Sequence, residues 1–259
     1  MIGAMRRFDD RATLVVGGGH GIGRAVAERL ADEGAAVAVA DLDLAAAEEV
    51  AASMNRAGHR SLGVACDITS GDGPSAAVSS AVERFGRLDV LMVAAGADML
   101  HPEFAETDDD VWHAMVEVNL VGVARCIRAA LPSLLRAPSG GAVVTIGSVN
   151  GLTSFGSEPY SAAKAGLQNL TMNLSTRYGP RGVRFNLVAP GTVRTRVWDN
   201  QPGALERLAP AYPLGRVGEP ADIAAAAAFL ASDDAAWISG VTLPVDGGLL
   251  ASGPLGHLL

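Results

Sequence analysis

Only two cysteines occur in the 259 residues, Cys66 and Cys126, and neither belongs to a CxxC pair. A disulfide framework or a structural zinc site needs more cysteines at closer spacings, so neither is expected to organise the fold. The histidines (His20, His59, His101, His113 and His257) lack ligand spacing, and no metal is expected. Long apolar runs are missing too. The longest, such as AAAAAFLA from residue 224, falls well short of the roughly 18 residues that suggest a membrane span. The opening MIGAMRRFDDRATLVV lacks an apolar signal core, so a cytoplasmic, soluble protein is expected. No basic run offsets the formal net charge of -8, which argues against nucleic acid or an anionic membrane as partner.

What the sequence does have is alternation. Short apolar runs (ATLVVG, AAVAVAD, SLGVACD, LDVLMVAAG, GAVVTIGS, VRFNLVAPG and GVTLPVDGG) are separated by longer helix-like stretches. Several runs are apolar at consecutive positions, as strands covered on both faces are. The expected fold is α/β: a Rossmann-type, doubly wound parallel sheet of about seven strands flanked by helices. Helices are expected over about 22–33, 108–136, 159–178 and 219–231. No linker divides the chain, so residues 1–259 read as one domain. Within it the proline-rich stretch 191–216 is too short and too apolar for a linker and reads as a lid over a substrate.

VVGGGHGIGRA, residues 15–25, holds five glycines in seven positions at a strand-to-helix turn. Such a turn lets a pyrophosphate approach the N–H groups of a helix N-terminus. The spacing is Gly17-x3-Gly21-x-Gly23, with Gly19 and Ile22 between, and not the general G-x-G-x-x-G fingerprint. Asp41 ends the second strand 18 residues after Gly23. Its carboxylate suits both adenosine ribose hydroxyls and repels a 2′-phosphate. The next residue is Leu42 and position 20 is His, so no Lys or Arg adjoins it and NAD is expected over NADP. Asp43 reads as a solvated turn residue. Asp67, followed by Ile68, ends the third strand and would lie near the adenine.

SEPYSAAKAG places Tyr160 and Lys164 four apart on one helix face. A free tyrosine, with pKa about 10, is a poor base. A nearby ammonium together with the positive ring of NAD⁺ would favour the phenolate, which could then take a proton from an alcohol as hydride leaves its carbon. Ser148 follows a strand at the sheet edge where open α/β folds bind ligands, placed to hydrogen-bond the substrate oxygen. Asn119 sits in mid-helix, where asparagine is mildly unfavourable, among apolar neighbours.

These residues resemble, in order and spacing, the classical short-chain dehydrogenases/reductases. The resemblance runs from Arg11 to about Gly248: the glycine loop, Asp41, Asp67, VNLVG, Ser148, YSAAK, NLVAPGTVRT and PVDGG. It implies NAD(P)-linked chemistry at a carbinol carbon and a homotetramer. It also implies a catalytic tetrad of Asn119, Ser148, Tyr160 and Lys164. Lys164 would also hold the nicotinamide ribose, and Asn119 would help position a relay water. Gly96, Pro190, Gly191, Val193 and Thr195 match cofactor-contacting positions.

Three departures stand out. Val16 replaces the usual Thr, VAAG (Val93 to Gly96) replaces NNAG, and the Ser148–Tyr160 loop is about one residue short. The pocket walls should be 98–104, 149–159 and the lid, mixing Asn150, Ser154, Ser157 and Glu158 with Phe155, Trp198 and Leu205. That mixture suits a polyol, a hydroxylated ring or a ketone equally. The expected activity is NAD-dependent oxidation of a small-molecule secondary alcohol or reduction of its ketone. The alternatives are an NADPH-linked 3-oxoacyl-thioester reductase, which would want basic residues near position 20 or 42, and a silent NAD-binding module. The helix face in SAAKAGLQNLTMNLS and the tail GLLASGPLGHLL are candidate subunit contacts.

Overall fold

A computed structural model describes residues 6–252; His257 and the tail beyond Ser252 lie outside the described residues. Strands β1 (Ala12–Val16), β2 (Ala36–Asp41), β3 (Ser61–Ala65), β4 (Val90–Val93), β5 (Gly141–Ile146), β6 (Val183–Pro190) and β7 (Thr242–Val245) form one sheet in the order β3-β2-β1-β4-β5-β6-β7. Every pairing is parallel. The seven strand positions agree with the sequence reading, and β1, β4 and β5 are buried at every residue.

Side chains alternate between the two faces because the strand period is two. Val15, Val37 and Val39 face helices α1 (Gly21–Asp32), α2 (Leu44–Arg56) and α8 (Pro220–Ala231), meeting Leu30, Val50 and Ile223. Leu14, Ala38 and Leu91 face α3 (Gly73–Phe85), α5 (Gly122–Leu134) and α6 (Glu158–Tyr178), meeting Val78, Ile127 and Leu167. Cys66 and Cys126, far apart in sequence, are both free, buried members of this second layer.

The stretch expected as one helix over 108–136 is α4 (Asp109–Val116) joined to α5 through a π turn, Glu117–Val121. The extra residue of a π turn shifts helical phase, and it points Asn119 inward. Strand order reverses between β1 and β4. The crevice beyond the carboxyl ends of these strands is where such sheets take ligands.

The stretch 191–216 carries one short helix, α7 (Ala204–Leu208), that the sequence reading left irregular. Leu205, Tyr212 and Val217 form a small core of their own with Trp198, Leu208 and Leu249. The Tyr212 hydroxyl accepts the Thr192 N–H at 2.7 Å. Val193 bridges Gly218, and Arg194 pairs with Glu219 at 3.0 Å. Trp198, Leu205, Leu208 and Tyr212, the segment's own aromatic and leucine side chains in this core, thus pack it beside the crevice.

Candidate active site

At the end of β1 the Val16 carbonyl accepts the N–H groups of Ala94 (2.8 Å) and Ala95 (3.1 Å). Backbone bonds therefore hold the VAAG segment where the family pattern has asparagines. Gly17 has φ +78°, and a Cβ there would lie 2.5 Å from the Ala95 nitrogen; one on Gly23 would overlap the Gly17 carbonyl oxygen. The loop is folded back on itself with no room for side chains. His20, the N-cap of α1, makes no side-chain capping bond, and the first turn holds no acidic residue. The N–H groups of that turn are left to an outside anion.

Asp41 is held beside this loop. Its carboxylate accepts the Gly19 N–H at 2.8 Å and the Asp43 N–H at 3.1 Å. Asp43 caps α2 by accepting from Ala46 at 3.1 Å, in keeping with its reading as a turn residue. Asp67 accepts both the hydroxyl (2.7 Å) and the N–H (2.8 Å) of Thr69, which hold its carboxyl below the usual range. Ile68 is buried against Gly122. A glycine cradle at an uncapped helix start, with a fixed carboxylate beside it, fits a dinucleotide. Gly17, Gly19, Gly21, Ile22 and Gly23 would face the pyrophosphate and Asp41 the ribose.

The second cluster lies across the crevice. Ser148 follows β5 and starts the turn Val149–Gly151. Two successive left-handed residues, Gly156 (φ +80°) and Ser157 (φ +52°), lead into α6. A left-handed non-glycine costs about 1 kcal/mol, and here the Ser157 hydroxyl donates to Asp98 at 2.6 Å. That bond ties the exit of β4 to the helix start three residues before Tyr160. One turn further on, the buried Lys164 donates to the Ile146 carbonyl at 3.1 Å. Its nitrogen lies 5.5 Å from the centre of the Tyr160 ring.

Burial without a carboxylate partner lowers Lys164 to about 8. Lys164 is also the only lysine in the chain, all other basic side chains being arginine. That singularity was visible in the sequence and points to an ammonium that a guanidinium cannot replace.

Burial pushes Tyr160 above its ordinary value, the neighbouring Ser148 hydroxyl works the other way, and the charge of Asp98 adds to the rise. The expectation that Lys164 would favour the phenolate is thus not met by the chain alone. The ammonium sits over the ring and gives a hydrogen bond to the Ile146 carbonyl.

Ser148, Tyr160 and Lys164 line one cleft of about 770 Å³ with Ile22, Gly96, Pro190, Gly191, Val193 and Thr195. Asn119 does not line it. It is fully buried, donates to the Ala97 carbonyl (2.7 Å) and the Met115 carbonyl (3.0 Å), and accepts the Ala97 N–H (3.2 Å). Gly96 and Ala97, which line the cleft, lie between: a Cβ on Gly96 would lie 2.9 Å from the Asn119 oxygen and 3.1 Å from Lys164 Nζ. Asp98, Asn150, Phe155 and Trp198 are wall residues as expected, whereas Ser154, Ser157 and Glu158 do not line the cleft and Leu205 turns into the small core of the 191–216 segment. The sequence reading missed Tyr212 and Arg196 as lining residues; nothing in local spacing marks them. Among the described residues no cluster of three potential metal ligands occurs, and no helix is long and apolar enough to cross a membrane.

Residues 17–250 match a family model described as enoyl-(acyl carrier protein) reductase. The cis-4-hydroxycyclohexanecarboxylate dehydrogenase of Sinomonas cyclohexanicum is 40% identical over 94% of this chain and 98% of its own length. The meso-2,3-butanediol dehydrogenase of Serratia marcescens is 38% identical over 95% and 97%. A solved structure from Sinorhizobium meliloti 1021, described as "a putative short-chain alcohol dehydrogenase", superposes with a TM-score of 0.88 at 33% identity, covering 95% of this chain and 99% of that one. With dehydrogenases matching nearly its whole length and with a fold that superposes on one of them, the chain belongs to the short-chain dehydrogenase/reductase family, as an alcohol–ketone oxidoreductase working with a nicotinamide cofactor.

Proposed function

We propose that the chain oxidises a small secondary alcohol, or reduces the matching ketone, with NAD(H), and that Tyr160 moves the proton. The observation that carries this reading is the convergence of Ser148, Tyr160 and Lys164 on one cleft at the strand-order reversal. In oxidation, the Tyr160 oxygen accepts the substrate hydroxyl proton, and the Ser148 hydroxyl donates a hydrogen bond to the substrate oxygen and steadies it. Lys164 offers its ammonium to ribose hydroxyls and to the developing phenolate. Asn119 fixes the Ala97 backbone and the back wall of the cleft. The bound cofactor supplies the hydride acceptor and a positive ring.

Asp41 supports NAD over NADP, because a carboxylate fixed by two N–H groups repels a 2′-phosphate. Asp43 stands beside it and no Lys or Arg does, which disfavours the NADPH-linked thioester reductase. Asp67 and Ile68 would flank the adenine, and Gly96, Pro190, Gly191, Val193 and Thr195 the nicotinamide. A cleft that must hold nicotinamide and substrate together favours a compact substrate. The relatives' hydroxylated ring and vicinal diol fit that limit. Arg196 lines the cleft and makes no ion pair among the described residues, which suits an acidic substituent.

The reading extends to a single domain, a cytoplasmic setting and a homotetramer. Two buried free thiols fit a reducing compartment. Ala162, Ala165, Asn169, Met172 and Thr176 expose a mostly small stripe along α6, open to a second copy.

The test is a panel of cyclic diols, hydroxy acids, polyols and aliphatic secondary alcohols with NAD⁺ or NADP⁺, followed by NADH absorbance. Tyr160→Phe should abolish turnover by at least about 10²-fold while NADH binding persists. Equal turnover by Tyr160→Phe would sink the role of Tyr160, and a preference for NADP⁺ would sink that of Asp41.

A further inference from the structure

Ser148 has one hydrogen to donate, and in the free protein a neighbour claims it. Its hydroxyl donates to the Asn150 carboxamide oxygen at 3.1 Å and accepts the Asn150 backbone N–H at 3.2 Å. The far end of that carboxamide fixes its direction. Asn150 Nδ2 faces the Gly156 carbonyl at 3.3 Å and the Ser161 oxygen at 3.5 Å. The carbonyl can only accept, and the Ser161 hydrogen is already given to Gly156 at 2.6 Å. Both neighbours therefore need a donor, so the amide must turn its NH₂ to them and its oxygen to Ser148.

Resting on the function proposed above, we infer that Asn150 is a positioning residue for proton transfer: its side-chain oxygen holds the Ser148 hydrogen away from Tyr160 in the free enzyme and releases it to the substrate oxygen. Ser148 keeps its own proton throughout and only redirects it. The alcohol proton goes to the Tyr160 oxygen as hydride leaves the carbon for NAD⁺, so charge and protons balance. Until substrate arrives, a Ser148 that is donating to Asn150 has no hydrogen left for the Tyr160 oxygen, and a phenolate there goes without that donor. Once the substrate oxygen enters, it competes for the same hydrogen, and Ser148 turns its donor from Asn150 to the site of proton transfer.

Tyr160 has other charged neighbours. Asp98 faces it from the β4 exit, Lys164 from its own helix and Arg196 across the cleft; Glu158 and His101, 4.0 Å apart, stand at the helix start. None changes when Asn150 is replaced, so differences between variants report Asn150 itself.

The experiment is a phenolate-absorbance titration of the purified protein without substrate, taking each variant minus its Tyr160→Phe counterpart so that Tyr178 and Tyr212 cancel. Asn150→Ala frees the Ser148 hydrogen for the phenolate and should lower the Tyr160 midpoint by about half to one pH unit, the size of one hydrogen bond. Asn150→Asp keeps an acceptor, adds charge, and should raise it. A merely structural Asn150 would move both the same way or neither, since both lose the tether to Gly156 and Ser161. In a Ser148→Ala background the Asn150→Ala shift should vanish; a shift that survives there overturns the inference. The acid limb of kcat/KM, measured in parallel, should follow the same two directions. Titration shifts as expected without any Tyr160-dependent turnover would uphold the hold on Ser148 and overturn the dehydrogenase reading instead.

Discussion

The two ends of the cleft are built from different materials. At the glycine-loop end, Gly17 and Gly23 press backbone against backbone, Gly18, Gly19 and Gly21 lie against side chains, and Asp41 is locked by two backbone N–H groups. At the other end, the one proposed to take the alcohol, the lining atoms are side chains on short turns: Ser148 on the turn after β5, Tyr160 just past two left-handed residues, and Trp198 and Tyr212 on the 191–216 segment. The first end works by shape that leaves no slack, and the second by hydrogen bonds that can be redirected. Damage should therefore be nearly all-or-none at one end and graded at the other.

Gly23→Ala is the severest test of that contrast. The added carbon would overlap the Gly17 carbonyl oxygen, and backbone has no rotamer by which to give way. We expect a loss of about 3 kcal/mol in thermal stability and of NADH binding together. A variant that melts like the parent and still binds NADH would show that the loop has slack, and the contrast would fail.

The same contrast explains what the sequence could and could not tell. Strands such as ATLVV and GAVVTI announce themselves by consecutive apolar residues, and the glycine loop by its composition, because local backbone needs dictate both. Tyr160, Lys164 and Ser148 were legible as a set at known spacing. The π turn was not, since it inserts its extra residue into an otherwise regular helical pattern and only the inward aim of Asn119 betrays it. Tyr212 as a lid anchor, the Asp98–Ser157 bond and the grip of Asn150 on Ser148 depend on loop geometry, and the first two pair residues 20 and 59 apart. Cys66 and Cys126, isolated in sequence, meet in one core layer for the same reason.

Asp41→Asn probes the glycine-loop end without steric damage. Removing the charge while keeping an oxygen for the Gly19 N–H should leave folding intact. The NAD⁺ to NADP⁺ ratio of kcat/KM should fall about tenfold, equivalent to about 1.4 kcal/mol of discrimination. The measurement is paired kinetics with both cofactors. An unchanged ratio would mean that selectivity lies elsewhere, with His20 and Asp43, 3.6 Å apart beside the loop, as the next residues to change.

The smallest effect is expected in the 191–216 segment. Tyr212→Phe deletes only the hydroxyl that accepts the Thr192 N–H and leaves the ring packed against Gly191. One such hydrogen bond contributes about 1 kcal/mol, and Thr192 borders the cleft, where water can replace the lost acceptor. Melting should be nearly unchanged, KM for the alcohol should rise by about two- to fivefold, and kcat should hold, because Tyr212 touches no reacting atom. Loss of kcat instead would mean that lid closure, and not only substrate retention, passes through this bond. The alcohol end would then be as intolerant of change as the glycine loop, and the contrast would have to be drawn between the sheet-borne turns and everything else.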